Sequence, residues 1–329
     1  MTGFPHLITF VRMRLSGLLD LQVNGYAGID FNDAAITPAN IDHALAAMCD
    51  AGVSHCLPTL ITAQQEILSR RLLALDRAVG ASRLGTSMVP GYHLEGPFLS
   101  ADDGYSGCHP TAAMCDPDIN FVQELEDPLA HPILLITLAP ERPNAMPFIR
   151  WARQAGKVVA LGHTGANAHE IAQAVEAGAM VSTHLGNAMR QMQPKFDNPL
   201  MWQLAEDRLW ATFIADGIHV PPHALKILLR AKGPARSILV TDAASAAATG
   251  AGRYSFAGMP IERDAAGAVR LPGTDRLAGS SLTLDQAVRN IVGWGLASEE
   301  QAVQMARDNP RALLAPALAA HGVRLTEPA

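Results

Sequence analysis

Runs of lysine or arginine are missing from this chain of 329 residues, and its net charge is −6. That removes the electrostatic footprint of a nucleic-acid binder, so no nucleic-acid partner is expected. Long apolar runs are missing as well. A stretch such as Pro132 to Ala139 falls far short of the ~20 residues needed to span a bilayer, so no membrane association is expected. Cysteine is scarce: Cys49, Cys56, Cys108 and Cys115 form no C-x-x-C pair and no disulfide framework. Reduced thiols serving as small apolar side chains account for Cys49, Cys56 and Cys115. Cys108 adjoins a candidate site residue and is left open. At the N-terminus the apolar Leu7 to Val11 precedes Arg12 and Arg14, the reverse of a signal peptide, which points to a cytoplasmic protein.

What the chain does have is core material: 49% hydrophobic and 17% charged residues. Apolar runs alternate with helical patterns along most of its length. Strand candidates are 18–23, 53–57, 88–93, 132–138, 157–161, 179–183, 210–215 and 237–241. Helix candidates lie at 38–50, 63–79, 117–126, 144–155, 167–177, 199–206 and 221–231, several opened by start signals such as Thr37-Pro38 and Pro221-Pro222. Strands separated by helices imply parallel pairing through right-handed crossovers. Strands apolar on both faces suit a sheet buried between helices and a barrel interior. A (β/α)₈ TIM-type barrel is the economical α/β architecture, with an open doubly wound sheet as the competitor. The 251–278 stretch reads as a β-hairpin excursion, and helices return at 283–294, 298–307 and 309–315. The catalytic barrel is therefore expected over 20–315, followed by a C-terminal tail at 316–329.

Short polar segments stand just after the apolar runs, where a barrel collects its site. Glu95, His163 and His184 each fall within a residue or two of a strand end. One carboxylate and two imidazoles suit an open catalytic site for a divalent ion, most simply Zn²⁺, with Fe²⁺, Mn²⁺ and Co²⁺ sharing the ligand types. Such an ion brings the pKa of a water to about 7. Asp242 follows the run Ile238-Leu239-Val240. A carboxylate there either caps a helix or takes a proton from the attacking water and returns it to a leaving nitrogen. Gln22 and Asn24 close the first strand. Amides are poor ligands beside imidazole, which argues for one metal rather than two, and hydrogen bonding within the barrel is their other reading.

Taken together the segments resemble the N-acetylglucosamine-6-phosphate deacetylases of the amidohydrolase superfamily. The matching stretches include DLQVNG (20–25), LPTLIT (57–62), HLEGPF (93–98), GCHP (107–110), TLAPE (137–141) and GHTGA (162–166). They continue with THLGNAM (183–189), ADGIHV (215–220), LVTDA (239–243), LAGSSLTLDQAVRN (277–290) and NPRALL (309–314), in the family's order. The resemblance implies metal-dependent release of acetate from an N-acetyl amino sugar, with Glu95, His163 and His184 on one metal and Asp242 as base then acid. It makes His109 the contact to the substrate carbonyl. It assigns Asn187, Ala188, His219 and the loop Leu277, Ala278, Gly279 and Ser280 to substrate binding. Gln22 and Asn24 join that substrate-facing set and match the single-metal branch.

Two departures from the family pattern bear on function. Position 195, which the resemblance makes a phosphate-gripping arginine reached from a homodimer partner, is Lys195 here, within the rewritten segment 190–197. Lysine holds phosphate as a point charge without the bidentate fork. The alternatives to a 6-phosphate substrate are then a non-phosphorylated or otherwise substituted N-acyl amino sugar, or a non-catalytic sugar-binding paralogue. The family's small β-sandwich domain is expected to be reduced or absent, with residues 1–19 as its N-terminal remnant.

Overall fold

A computed structural model describes residues 15–326. The expected remnant at 1–19 therefore lies largely outside the described residues, as do 327–329. Eight parallel strands run in chain order around one sheet. They are β1 (Leu18–Val23), β2 (Val53–Ile61), β3 (Tyr92–Glu95), β4 (Ile133–Leu138), β5 (Val158–Leu161), β6 (Val181–Ser182), β7 (Trp210–Ile214) and β8 (Ser237–Val240). Helices separate successive strands, so each parallel pair is made by a crossover. Both faces of β4, all six residues of ILLITL, are buried, because one face meets the helices and the other fills the barrel.

The ring closes between β8 and β1. Asn24 N–H donates to the Ala243 carbonyl at 2.7 Å, Asp242 N–H to the Gln22 carbonyl at 2.9 Å, and a parallel bridge pairs Val23 with Ala243. Below these, Asp20 substitutes for ladder bonds: its carboxylate accepts from Thr241 Oγ1 at 2.5 Å and from Thr241 N–H at 3.2 Å. No helix among the described residues is long and apolar enough to cross a membrane.

The expected elements shift where proline intervenes. β2 runs to Ile61 instead of ending at Leu57, although Pro58 has no N–H to give. A register shift between Asp20 and Val23 absorbs it, and Val23 N–H bonds Thr59 Oγ1 at 3.0 Å in place of a backbone acceptor. The strand expected at 88–93 begins only at Tyr92, and 85–88 form a helical turn, since Pro90 breaks the run. In the helix expected over 298–307, Gln304–Asp308 widen into a π-turn where Asn309 N–H reaches the Gln304 carbonyl, because Pro310 cannot donate to the next turn. The tail expected from Pro316 is instead helix: Asn309–Ala320 continues through that proline. Leu313, Leu314, Ala317 and Leu318 form a buried stripe under the barrel, and its burial outweighs the ~3 kcal/mol that an interior proline costs.

The excursion is a three-stranded antiparallel sheet, Gly252–Phe256, Met259–Arg263 and Val269–Arg270. Phe256, Ile261 and Val269 bury against Ile61, Ala244 and Ala278. This separate small core pins the sheet to the rim and sets the following loop, 274–280, beside the strand ends.

The seam generates a prediction. Burial first, then the charge of Asp242, raises the Asp20 pKa to about 7, although its hydrogen bonds to Thr241 and Gln22 pull it down. A carboxyl whose folded pKa is raised stabilises the fold below its unfolded pKa, and that contribution is lost as pH rises toward 7. Melting curves between pH 5 and 8 are expected to show Tm falling with pH in the wild type and a flatter profile in Asp20→Asn. Parallel profiles would remove Asp20 from the account.

Candidate active site

Five strand ends deliver the chemistry. Gln22 and Asn24 end β1, Glu95 ends β3, His163 follows β5, His184 follows β6 and Asp242 follows β8. His163, His184 and Asp242 all adopt left-handed backbone, at φ 51°, 30° and 48°. Such strained conformations concentrate at functional sites, where they turn a side chain off the strand direction. Neighbouring hydrogen bonds hold them: the His163 carbonyl accepts from Ser100 N–H at 3.0 Å, and His184 N–H donates to Thr212 Oγ1 at 2.6 Å. The Asp242 carbonyl accepts from Ser280 N–H at 2.8 Å.

Glu95 is only 2% exposed. Its Oε1 lies 3.0 Å from His184 Nε2 and 3.3 Å from His163 Nε2, and the two nitrogens are 3.2 Å apart. Burial alone would raise the Glu95 pKa, but the bonds from His163 and His184 outweigh it and hold the group well below the usual carboxylate range. Burial likewise opposes the charged form of His184, yet the Glu95 bond and charge leave its pKa raised. His163 Nδ1 lies 2.8 Å from the Tyr105 carbonyl, to which it can only donate. With Nδ1 so engaged, Nε2 is the ring atom that faces Glu95 and His184 and could hold a metal. Three ligand atoms within 4.8 Å of one another, one imidazole oriented by a backbone carbonyl, fit a divalent metal.

The amides have a different task. Gln22 Nε2 donates to Glu95 Oε1 at 2.9 Å and to Asp242 Oδ1 at 3.2 Å, while Asn24 Nδ2 donates to the same Asp242 oxygen at 2.7 Å. The Gln22 amide thus bridges the two carboxylates. Asp242 is half-buried at the cavity floor. Its pKa rises to about 6, through burial first and then the Glu95 charge, with His184, His219 and Asn24 acting the other way.

His109 Nδ1 lies 2.9 Å from Thr62 Oγ1, and its Nε2 lies 3.7 Å from Glu95 Oε2. Burial and the neighbouring His163 lower its pKa to about 3, so the ring is neutral. In the tautomer in which Thr62 donates to Nδ1, Nε2 carries the proton and offers it toward the floor. Gly96 makes this approach possible: at φ +86° a Cβ there would overlap Thr62 Oγ1.

The floor opens into a cavity of about 800 Å³. Asn187, Ala188, His219, Leu277 and Gly279 line it together with Glu95, His163, His184, His109 and Asp242. Gln22 and Asn24 lie beneath it. Ala278 and Ser280 sit behind the wall: Ala278 is buried in the small core, and Ser280 Oγ donates to the Thr241 carbonyl at 2.6 Å. Lys195 lies outside the lining, on the exposed 190–197 segment.

Sequence reasoning missed the groups that orient these side chains. Asp216 Oδ2 accepts from His219 Nδ1 at 2.6 Å and its other oxygen takes the N–H groups of Ile218 and His219. The i,i+3 spacing within DGIH was the available signal. Thr62 and the Tyr105 carbonyl gave none, because they meet their histidines only in three dimensions.

No family model matches the chain. The N-acetylglucosamine-6-phosphate deacetylase of Bos taurus is 34% identical over 308 residues, covering 91% of this chain and 73% of that protein. The N-acetylgalactosamine-6-phosphate deacetylase of Escherichia coli O157:H7 is 32% identical over 298 residues, covering 90% and 76%. A crystal structure of N-acetyl-D-glucosamine-6-phosphate deacetylase from Mycobacterium smegmatis superimposes with a TM-score of 0.83 at 33% identity, covering 92% and 78%.

The ligand geometry is tested by metal content. Glu95→Gln is expected to retain the fold and to drop from roughly one bound divalent ion per chain to none after dialysis, because a neutral amide ligates weakly. Full metal retention by that variant, read by elemental analysis, would exclude Glu95 as a ligand.

Proposed function

Because this chain belongs to the N-acetylglucosamine-6-phosphate deacetylase family, we propose that it hydrolyses the acetamide of N-acetylglucosamine 6-phosphate to glucosamine 6-phosphate and acetate. The observation that carries this reading is the convergence of Asp242 and His109 with the Glu95, His163 and His184 group on one cavity floor.

In this reading Glu95 and the Nε2 atoms of His163 and His184 hold one divalent ion, most simply Zn²⁺, with Fe²⁺, Mn²⁺ and Co²⁺ as the other candidates by ligand type. When bound, the ion supplies Lewis acidity and brings the pKa of water toward neutrality. Asn24 and Gln22 fix Oδ1 of Asp242, which leaves Oδ2 to receive the proton of the attacking water. Water oxygen adds to the amide carbon, His109 donates to the carbonyl oxygen as charge develops there, and Asp242 returns its proton to the nitrogen as the C–N bond breaks. His219, oriented by Asp216, and Asn187, whose Nδ2 donates to the His184 carbonyl at 2.9 Å, face the sugar.

A second reading has specific support in the E. coli O157:H7 relative, which is named for the galacto epimer. Parallel assays on the two N-acetyl hexosamine 6-phosphates separate the two. The four free cysteines fit a reducing, cytoplasmic setting. Met192 and Phe196, 88% and 76% exposed on the 190–197 segment, support a homodimer as the working form.

Asp242→Asn is expected to keep the metal and lower kcat by at least ~10²-fold, the usual contribution of a positioned acid–base group. Near-normal kcat would remove Asp242 from the mechanism. Because the carboxylate is the active form and its pKa is raised to about 6, kcat/KM of the wild type is expected to fall as pH drops through that value. A profile flat from pH 5 to 8 would contradict the assignment.

A further inference from the structure

The cavity is far wider than an acetamide needs, and its outer wall is where a sugar substituent would lie. Its lining includes Asp103, Gly104 and residues 106–109, 186–191 and 274–277. A phosphate monoester there carries roughly −1.5 to −2 charge at neutral pH and three strong acceptor oxygens. The lining contains two strong cations, Arg190 and Arg276, and their circumstances differ.

Arg190 is already engaged. Its Nη2 lies 3.1 Å from Asp102 Oδ2, its Nε donates to the Asp103 carbonyl at 3.0 Å, and its guanidinium stacks 5.0 Å from the Tyr105 ring. Lys195, at the position where the resemblance expects the phosphate grip, lies outside the lining. The guanidinium of Arg276 has no hydrogen-bond or carboxylate partner among the described residues, yet its backbone is well fixed. Its N–H donates to Thr274 Oγ1 at 3.2 Å, its carbonyl accepts from Leu271 N–H at 3.0 Å, and the next residue, Leu277, pairs with Arg270. Two residues further on, Gly279 reaches the catalytic turn itself, where a Cβ would sit 3.0 Å from the Asp242 carbonyl.

We propose that Arg276 binds the phosphate group of the substrate, supplying from the same chain, within the cavity lining, the anion grip expected of position 195. The proposal rests on the reading that the substrate is an amino-sugar phosphate. A planar guanidinium gives two parallel N–H bonds to phosphate, which the lysine ammonium cannot. The adjacent Asp275 also lines the wall and opposes an anion, so the fork of Arg276, rather than a general positive field, has to provide the recognition.

The test compares kcat/KM for N-acetylglucosamine 6-phosphate and for N-acetylglucosamine, on metal-loaded wild type, R276A, R276K and K195A. Arg276 is exposed and makes no side-chain bond to lose among the described residues, so R276A is expected to fold normally. R276A is expected to lose ~10- to 100-fold on the phosphorylated sugar, chiefly through KM, as for a lost charged hydrogen bond. Turnover of the free sugar should not change, R276K should recover part of the loss, and K195A should stay near wild type. Equal losses on both sugars, or a selective loss in K195A instead, would overturn the proposal. If the wild type releases acetate from neither sugar, the functional reading fails, and calorimetric binding of glucosamine 6-phosphate decides Arg276 on its own. Binding lost in R276A then supports it, and equal binding by both proteins refutes it.

Discussion

The Glu95 carboxylate sits at the centre of the barrel mouth with two imidazole nitrogens and an amide N–H around a single oxygen. An unpaired charge at that depth would cost several kcal/mol, so the surrounding groups are obligatory. They come from β1, from the ends of β5 and β6 and from the loop holding His109. Each must arrive at the same height, which a parallel sheet closed on itself provides. Closure in turn depends on Asp20 and Thr241, whose side-chain bonds stitch β8 to β1 directly below the site. The catalytic cluster and the barrel seam are thus one hydrogen-bonded unit, connected through Gln22 and Asp242.

Strain follows from the same requirement. A strand end delivers its next side chain outward or inward in alternation, whereas His163, His184 and Asp242 all have to turn toward one point. Left-handed backbone at three non-glycine residues achieves this, at ~1–3 kcal/mol each. The Thr212 hydroxyl, the Ser100 amide and the Ser280 amide that hold these turns therefore matter to the site without touching substrate. Ser280 shows the distinction: the resemblance assigns its motif to substrate binding, yet its hydroxyl and amide bind the turn that carries Asp242. His93 gives a parallel case. It stands in the HLEGPF segment but lies inside the barrel, bonded to Thr137 Oγ1 and facing the Leu21 carbonyl, and burial lowers its pKa to about 4. It packs as a neutral ring two residues below Glu95.

Specificity is built on less constrained ground. The floor is buried and over-determined, while the outer wall consists of exposed loops from unrelated parts of the chain. Substitution at position 195 leaves the floor intact, because no bond from the floor reaches the 190–197 segment. The excursion sheet anchors the 274–280 loop through its own small core, in which Ala278 is buried.

The sequence by itself determined the alternation of strands and helices, hence the parallel barrel, and the residues standing at its strand ends. Those follow from local rules: apolar runs of strand length, helix starts at Thr37-Pro38 and Pro221-Pro222, and polar segments after each run. It did not determine where prolines would be tolerated. Pro58 stays within β2 because a register shift frees it from donating, and Pro316 stays within a helix because burial of Leu313 to Leu318 pays for it. Nor did it reveal which polar residues face substrate and which support others. Gln22 and Asn24 make the within-barrel hydrogen bonds that stood as their other reading, Ser280 bonds the Asp242 turn, and the Arg276 guanidinium on the cavity wall has no partner among the described residues. Those outcomes depend on distances between residues as far apart as Asn24 and Asp242, which only the closed barrel brings to 2.7 Å.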